Sequence, residues 1–212
     1  MFTKSQAPAG RQARKAATRA RVLDAARAIL ERVGFEATGI RDVARAAGVA
    51  PGTVLLHFRD KQDLLHAALF DDLQRTWTAA RSAARRRSLR ADLTHLAQAF
   101  FDYYARRPVL SRTLLRESLF AAPPWSGQFA GQVAEVHAHV AGLVAAARAR
   151  GELVPAADPA LVAGAFVAFY YLALLAWLQG GAAEPLRVFA PLLAQHLDGL
   201  RPAAARARSP RR

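Results

Sequence analysis

Apolar residues recur along most of this chain at spacings of three and four, the period of a helix with one buried face. Val22, Ala25, Ala26, Ile29 and Val33 make such a face, and Gly34 supplies the residue that ends it. Thr18 stands where a side-chain oxygen can cap the start. A short second helix is expected over 40–47, with Ile40, Val43, Ala44 and Ala47 on one side and Gly48 as its stop. Pro51 suits the first position of a third short helix, where its missing N–H costs nothing. Val49 and Val54 are spaced to clasp that entry, and the helix is expected to end near Phe58. Asp60 caps a fourth helix, with Asp63 in its first turn and Leu64, Leu65, Ala68 and Leu69 as its apolar face.

Longer helical segments follow. One covers about 89–107 and stops at Pro108, a shorter one covers 110–119, and Pro123-Pro124 forces a loop. Ser126 can cap a helix carrying Phe129, Val133, Val136, Val140, Leu143, Val144 and Ala147 and ending at Gly151. Asp158-Pro159 opens an uncharged helix that runs to Gly180-Gly181, and a last helix covers 184–200 with a kink expected at Pro191. No sustained period-two alternation occurs. The expected fold class is all-α: a small N-terminal three-helix module followed by a larger helical domain. The expected organisation is a disordered basic arm over 1–17, a helix-turn-helix domain over 18–65, an effector-binding and dimerisation domain over 66–200, and a disordered basic tail over 201–212.

Charge changes the picture more than composition does. The 212 residues carry a formal net charge of +14, which favours a polyanionic partner. The excess sits at the ends: residues 1–60 hold 11 basic against 5 acidic side chains, and residues 201–212 hold 5 basic and none acidic. Cysteine is absent, which excludes disulfides, thiolate catalysis and cysteine-based metal centres. Met1–Ala17 is basic and polar without an apolar run, so it does not read as a secretory signal. The stretch from Leu161 to Leu178 has the length of a membrane span, but it is alanine-rich and has no close Lys or Arg anchors. It reads as a bundle or dimer helix, and a cytoplasmic, nucleoid-associated protein is expected.

The block that carries chemistry is FEATGIRDVARAAGVAPGTVLLHFRDKQDLL, residues 35–65. Two short helices joined by a tight glycine turn form a helix-turn-helix, whose second helix enters the DNA major groove. Val43, Val49, Val54 and Phe58 are expected as the core between the helices, with Ala44 and Ala47 small enough for a close crossing. That leaves Pro51, Gly52, Thr53, Leu55, Leu56 and His57 on or near the exposed side. Arg41, Arg45 and Lys61 can reach phosphates. His57 reads equally as a phosphate contact or as a packed histidine.

These residues closely resemble the DNA-binding domain of the TetR (tetracycline repressor) family of bacterial regulators. The resemblance rests on Gly34-Phe35, Thr38, Ile40-Arg41-Asp42-Val43-Ala44, Ala47-Gly48-Val49, Gly52-Thr53, His57-Phe58, Lys61 and Asp63-Leu64-Leu65, and covers about residues 18–65. It implies a three-helix DNA-binding domain, a larger ligand-binding domain and a homodimer built from the last two helices. It also implies that Ile40, Arg41, Pro51, Gly52, Thr53, Leu55, Leu56, His57 and Lys61 face double-stranded operator DNA. Four positions depart from the family's pattern. Gly39 and Ala50 stand where Ser or Thr commonly caps, and Leu55 and Leu56 stand where tyrosines are common. Fewer or more apolar operator contacts follow, such as a leucine against a thymine methyl.

The remaining candidates are weaker. Arg11, Arg14 and Lys15 could reach a flanking groove or simply remain solvated. The Arg85-Arg86-Arg87 run reads as a solvated turn. His137 and His139 lie two apart on a helix and point to different sides, so no metal site is expected. Tyr104, Trp125, His137 and Tyr170 are the candidate lining of an apolar effector cavity. No enzyme signature and no cofactor site appears. The reading is a regulator released from a pseudo-palindromic operator by a small, largely apolar effector. The alternatives are a non-specific nucleoid-type DNA binder and a membrane-associated helical protein.

Overall fold

The computed structural model describes residues 7–83 and 88–203, with side chains from Gly10 onward. It is helical, with no strand among the described residues. In chain order the helices are α1 (Ala7–Ala37), α2 (Ile40–Ala46), α3 (Pro51–Leu55), α4 (Lys61–Ser82), α5 (Leu89–Ala105), α6 (Pro108–Leu119), α7 (Trp125–Ala149), α8 (Pro159–Leu178) and α9 (Pro185–Gly199). The chain forms two compact units. One takes residues up to Asp72 together with Arg107–Trp125; the other takes Leu73–Arg106 and the chain from Ser126 onward.

The compact units are divided differently from the expected domains in two places. The division falls inside α4, between Asp72 and Leu73, and not at residue 65. The first unit also recruits α6, which packs on α1 through the buried Leu110, Leu114 and Leu115. The Leu110 N–H donates to the Glu31 carboxylate at 3.2 Å. A fold read along the chain assigns α6 to its sequence neighbours, whereas packing assigns it to the face that buries its leucines.

The expected arm over 1–17 is helical from Ala7 onward, and Thr18 is an interior residue, not a cap. Alanine, arginine, glutamine and lysine fill 11–17, all strong helix formers, so propensity extends the helix past the last apolar contact. Residues 1–6, the Arg85-Arg86-Arg87 run and the tail from residue 204 lie outside the described residues.

In the first unit the core gathers Val22, Leu23, Ala26, Ile29 and Leu30 of α1, Val43 and Ala44 of α2, Val54 of α3, Phe58, and Leu64, Leu65, Ala68 and Leu69 of α4. Burying each leucine or phenylalanine contributes about 1.5–3 kcal/mol. One charge lies in this apolar face. Arg27, 4% exposed, bonds the Asp72 carboxylate at 2.8 Å, Asp71 at 2.8 Å and Asp24 at 2.7 Å. This fork fixes α1 against α4.

In the second unit α8 pairs with α9, and α5 packs on both. Asp158 caps α8 by accepting from the Ala160 and Leu161 N–H groups, with Pro159 in the first turn as expected. The aromatic core links Phe101 and Phe166 to Phe189, and Phe100 and Phe101 to Tyr170. Helix α8 is long and apolar enough to cross a membrane by length and composition. One side of it supplies Val162, Ala163, Phe166, Ala173 and Leu174 to the core. The other side leaves Leu161, Ala168, Leu172 and Leu175 exposed, a row spaced along one face.

Candidate nucleic-acid interface

Two glycines shape the helix-turn-helix. Gly34 breaks the regular part of α1 with φ 77 and ψ 174, a conformation essentially restricted to glycine. The Thr38 hydroxyl then donates to the Gly34 carbonyl at 2.7 Å, bracing the loop into α2. Gly48 adopts φ 64 after α2, and the Val49 N–H returns to the Ala44 carbonyl at 3.0 Å, which closes the tight turn into α3. Val43, Ala44, Ala47, Val54 and Phe58 are buried between the helices as the pattern predicts, with Val49 half-buried.

The caps are weak. Gly39 and Ala50 both take extended backbone at the N-cap positions of α2 and α3, and neither offers a side-chain acceptor. Helix α4 is capped better: Asp60 accepts from the Asp63 N–H at 2.7 Å. Asp63 in turn accepts from the Arg59 N–H at 2.8 Å and from the Trp125 indole N–H at 2.7 Å. Partial burial pushes the Asp63 carboxyl up, and these hydrogen bonds outweigh it, so its pKa lies below the ordinary value.

The candidate contact residues are presented unevenly. Leu56 is 82% exposed and Leu55 52%, large apolar tips held in water by a helix whose other side is sealed. Pro51, Gly52 and Arg41 are exposed, and Ile40, Thr53 and His57 are half-buried. Arg45 is exposed but pairs with Asp42 one turn back at 2.8 Å. Burial, then the nearby Lys15 ammonium and Arg19 guanidinium, holds the His57 pKa below the ordinary imidazole value, so His57 is neutral at pH 7. Lys61, expected as a phosphate contact, has partners within the first unit. Its ammonium donates to the Phe35 carbonyl at 2.9 Å and the Glu36 carbonyl at 3.3 Å, and sits 4.3 Å from the Phe35 ring centre. Those carbonyls end α1, so Lys61 ties the end of α1 to the start of α4.

The four cavity candidates are distributed over both units. Tyr104 and Tyr170 are hydrogen-bonded to each other in the second unit, and burial drives both phenol pKa values up. His137 is half-buried on α7 and meets the Ala160 carbonyl at 3.1 Å. Trp125 belongs to the first unit, where it bonds Asp63 and lies against the His66 and Phe70 rings. There it serves as a scaffold residue of the helix-turn-helix unit. The sequence reading also missed Arg27. Its signal was a charge at 27 on the stripe formed by Leu23, Ala26 and Leu30.

A glycine-turned helix pair with an apolar reading face, followed by a second all-helical unit, defines the helix-turn-helix class of regulators. Residues 22–68 match the family described as bacterial regulatory proteins, tetR family. The HTH-type transcriptional repressor KstR of Mycobacterium tuberculosis is 32% identical over 161 residues, 76% of this chain and 70% of KstR. KstR of Mycolicibacterium smegmatis is 31% identical over 161 residues, 76% of each chain. The chain belongs to the TetR family. The same fold recurs in the transcriptional regulator FadR of Bacillus subtilis, solved with stearoyl-CoA, at TM-score 0.66, 17% identity and coverage of 85% of this chain and 98% of that one. FadR of Bacillus halodurans, a fatty acid degradation regulator, gives TM-score 0.66 at 19% identity, over 85% and 98% of the two chains.

Proposed function

We propose that this protein is a cytoplasmic, ligand-responsive transcriptional repressor that binds a pseudo-palindromic operator as a homodimer. The observation that carries the reading is the exposed face of α3: Pro51, Gly52, Leu55 and Leu56 stand in water on a helix whose Val54 is fully buried. Leu55 and Leu56 contact base edges and thymine methyls, Thr53 and His57 supply neutral hydrogen-bonding groups, and Ile40, Arg41 and Arg45 fix the backbone register. Lys61 acts by positioning α4 under the pair. KstR, itself a repressor, supports the direction of control.

The effector is small and largely apolar, and it acts on the second unit. The aromatic interior around Phe100, Phe101, Phe166, Phe189, Tyr104 and Tyr170 supports this, as does the apolar acyl chain of the stearoyl-CoA in complex with FadR. Helix α4 contributes residues to both units and is the element through which effector and operator weaken each other by the same factor.

The test is fluorescence anisotropy of purified protein with the DNA upstream of its own gene, against unlabelled competitor. Binding that survives competitor and saturates at one dimer per palindrome supports the reading. A second reading, a non-specific nucleoid-type binder, draws on the uncapped Gly39 and Ala50 and the leucines at 55 and 56. It predicts that every sequence competes equally.

A further inference from the structure

The first four turns of α1 carry Arg11, Arg14, Lys15, Arg19 and Arg21 and no acidic residue before Asp24. Like charges four residues apart on a helix repel, as Arg11 and Lys15 and then Lys15 and Arg19 do, so this segment is not arranged for its own stability. Several arginines elsewhere have carboxylate partners: Arg27 with three aspartates, Arg90 with Asp198, Arg150 with Glu152. Among the described residues, none of these five α1 cations has a carboxylate partner.

Their placement is specific. At about 100° per residue, Arg11, Lys15 and Arg19 form one row along the helix, and Arg14 lies beside it. The row continues into Val22, Ala26 and Ile29, the face that α1 buries in the helix-turn-helix core. So where α1 projects past that core, the face it turns toward the DNA-reading side changes from apolar to cationic. The Arg19 guanidinium lies 5.4 Å from the centre of the Phe58 ring, just after α3. Lys15 and Arg19 also lie close enough to His57 to act on it electrostatically.

We propose that this projecting part of α1 is a second duplex-DNA contact, in which Arg11, Arg14, Lys15 and Arg19 grip backbone phosphates beside the segment read by α3. The proposal rests on the DNA-binding reading above. The contact reads no sequence; it lengthens the footprint and supplies salt-sensitive affinity.

The test measures binding to a labelled mixed-sequence 30-bp duplex across a salt series, for the full chain and two variants. In R11Q/R14Q/K15Q the slope of log affinity against log salt falls in magnitude by roughly 3 per chain, about 0.9 for each phosphate that is no longer neutralised. In A17P all the cations remain, but proline removes a helical hydrogen bond and breaks the projection away from the core. Affinity at fixed salt then drops at least tenfold, while the melting temperature stays near that of the parent because the turns before Ala17 contribute no residue to the core, which begins at Val22. An unchanged slope in the triple variant overturns the contact while leaving DNA binding by α3 intact. A reduced slope with A17P binding like the parent also overturns it, since the cations then act only as diffuse charge. A parent protein that binds no duplex at all removes the underlying reading together with the contact.

Discussion

Ala50 is the most correctable residue in the DNA-reading pair. Its backbone has the conformation of an N-cap, yet it has no oxygen to offer. Ala50→Ser should add about 1 kcal/mol, seen as a rise of about 2–4 °C in melting temperature. An unchanged melting temperature would mean that the serine hydroxyl does not reach the Thr53 N–H. His66 makes a pH prediction. It is buried, and desolvation lowers its pKa further than the nearby Glu117, Asp63 and Asp60 raise it. The unfolded chain therefore takes up this proton before the folded one does, so stability falls as pH drops below about 6.5. Chemical denaturation at pH 7.5 and at pH 5.5 should show the loss, and His66→Gln should reduce it. At this scale the sequence was legible wherever a residue's role was set by its neighbours in the chain. Pro51, Gly48, Asp60 and Asp158 all sit where local turn and cap chemistry put them. The partners of Arg27, Lys61 and Trp125 were not legible because they lie 25 or more residues away in the chain.

Between elements, the α1–α4 junction is the part of the first unit most sensitive to mutation. Arg27→Met keeps the volume and the apolar stem but leaves the buried Asp72 without its guanidinium. The expected cost is about 3 kcal/mol, since removing one partner of a buried pair strands the other charge. Asp24→Ala removes only the exposed member, 73% accessible on its side chain, and should cost under about 1 kcal/mol. Denaturant midpoints of the two variants would separate these cases, and equal midpoints would mean that the fork contributes no more than a surface pair. Element type was readable from the 3.6 period almost throughout. The reach of α1 to Ala7 and of α4 to Ser82 was not, because exposed turns rich in helix formers carry no apolar stripe to mark them. The assignment of α6 to the first unit was equally hidden, since amphipathicity shows that a helix has a face to bury and not against what.

For the whole molecule, the question is what covers the outer row of α8. Leu161, 73% exposed, lines up with Ala168, Leu172 and Leu175. Covering such a row with a second copy of the chain would bury it in the proposed dimer. Leu172→Glu should then convert a dimer to a monomer in analytical ultracentrifugation, and should weaken operator binding by removing one of two linked half-sites. A parent protein that needs detergent to stay dispersed would instead assign the row to lipid.

Trp125 lends the first unit an optical reporter. Its indole is buried, bonded to Asp63, and its ring centre lies 5.8 Å from that of His66 and 5.9 Å from that of Phe70. An imidazolium quenches indole emission more than a neutral imidazole does. The proton that destabilises the fold thus arrives beside the chromophore that can register it. With Trp77 and Trp177 replaced by phenylalanine, the remaining emission would follow the scaffold beneath the DNA-reading helix without any attached dye.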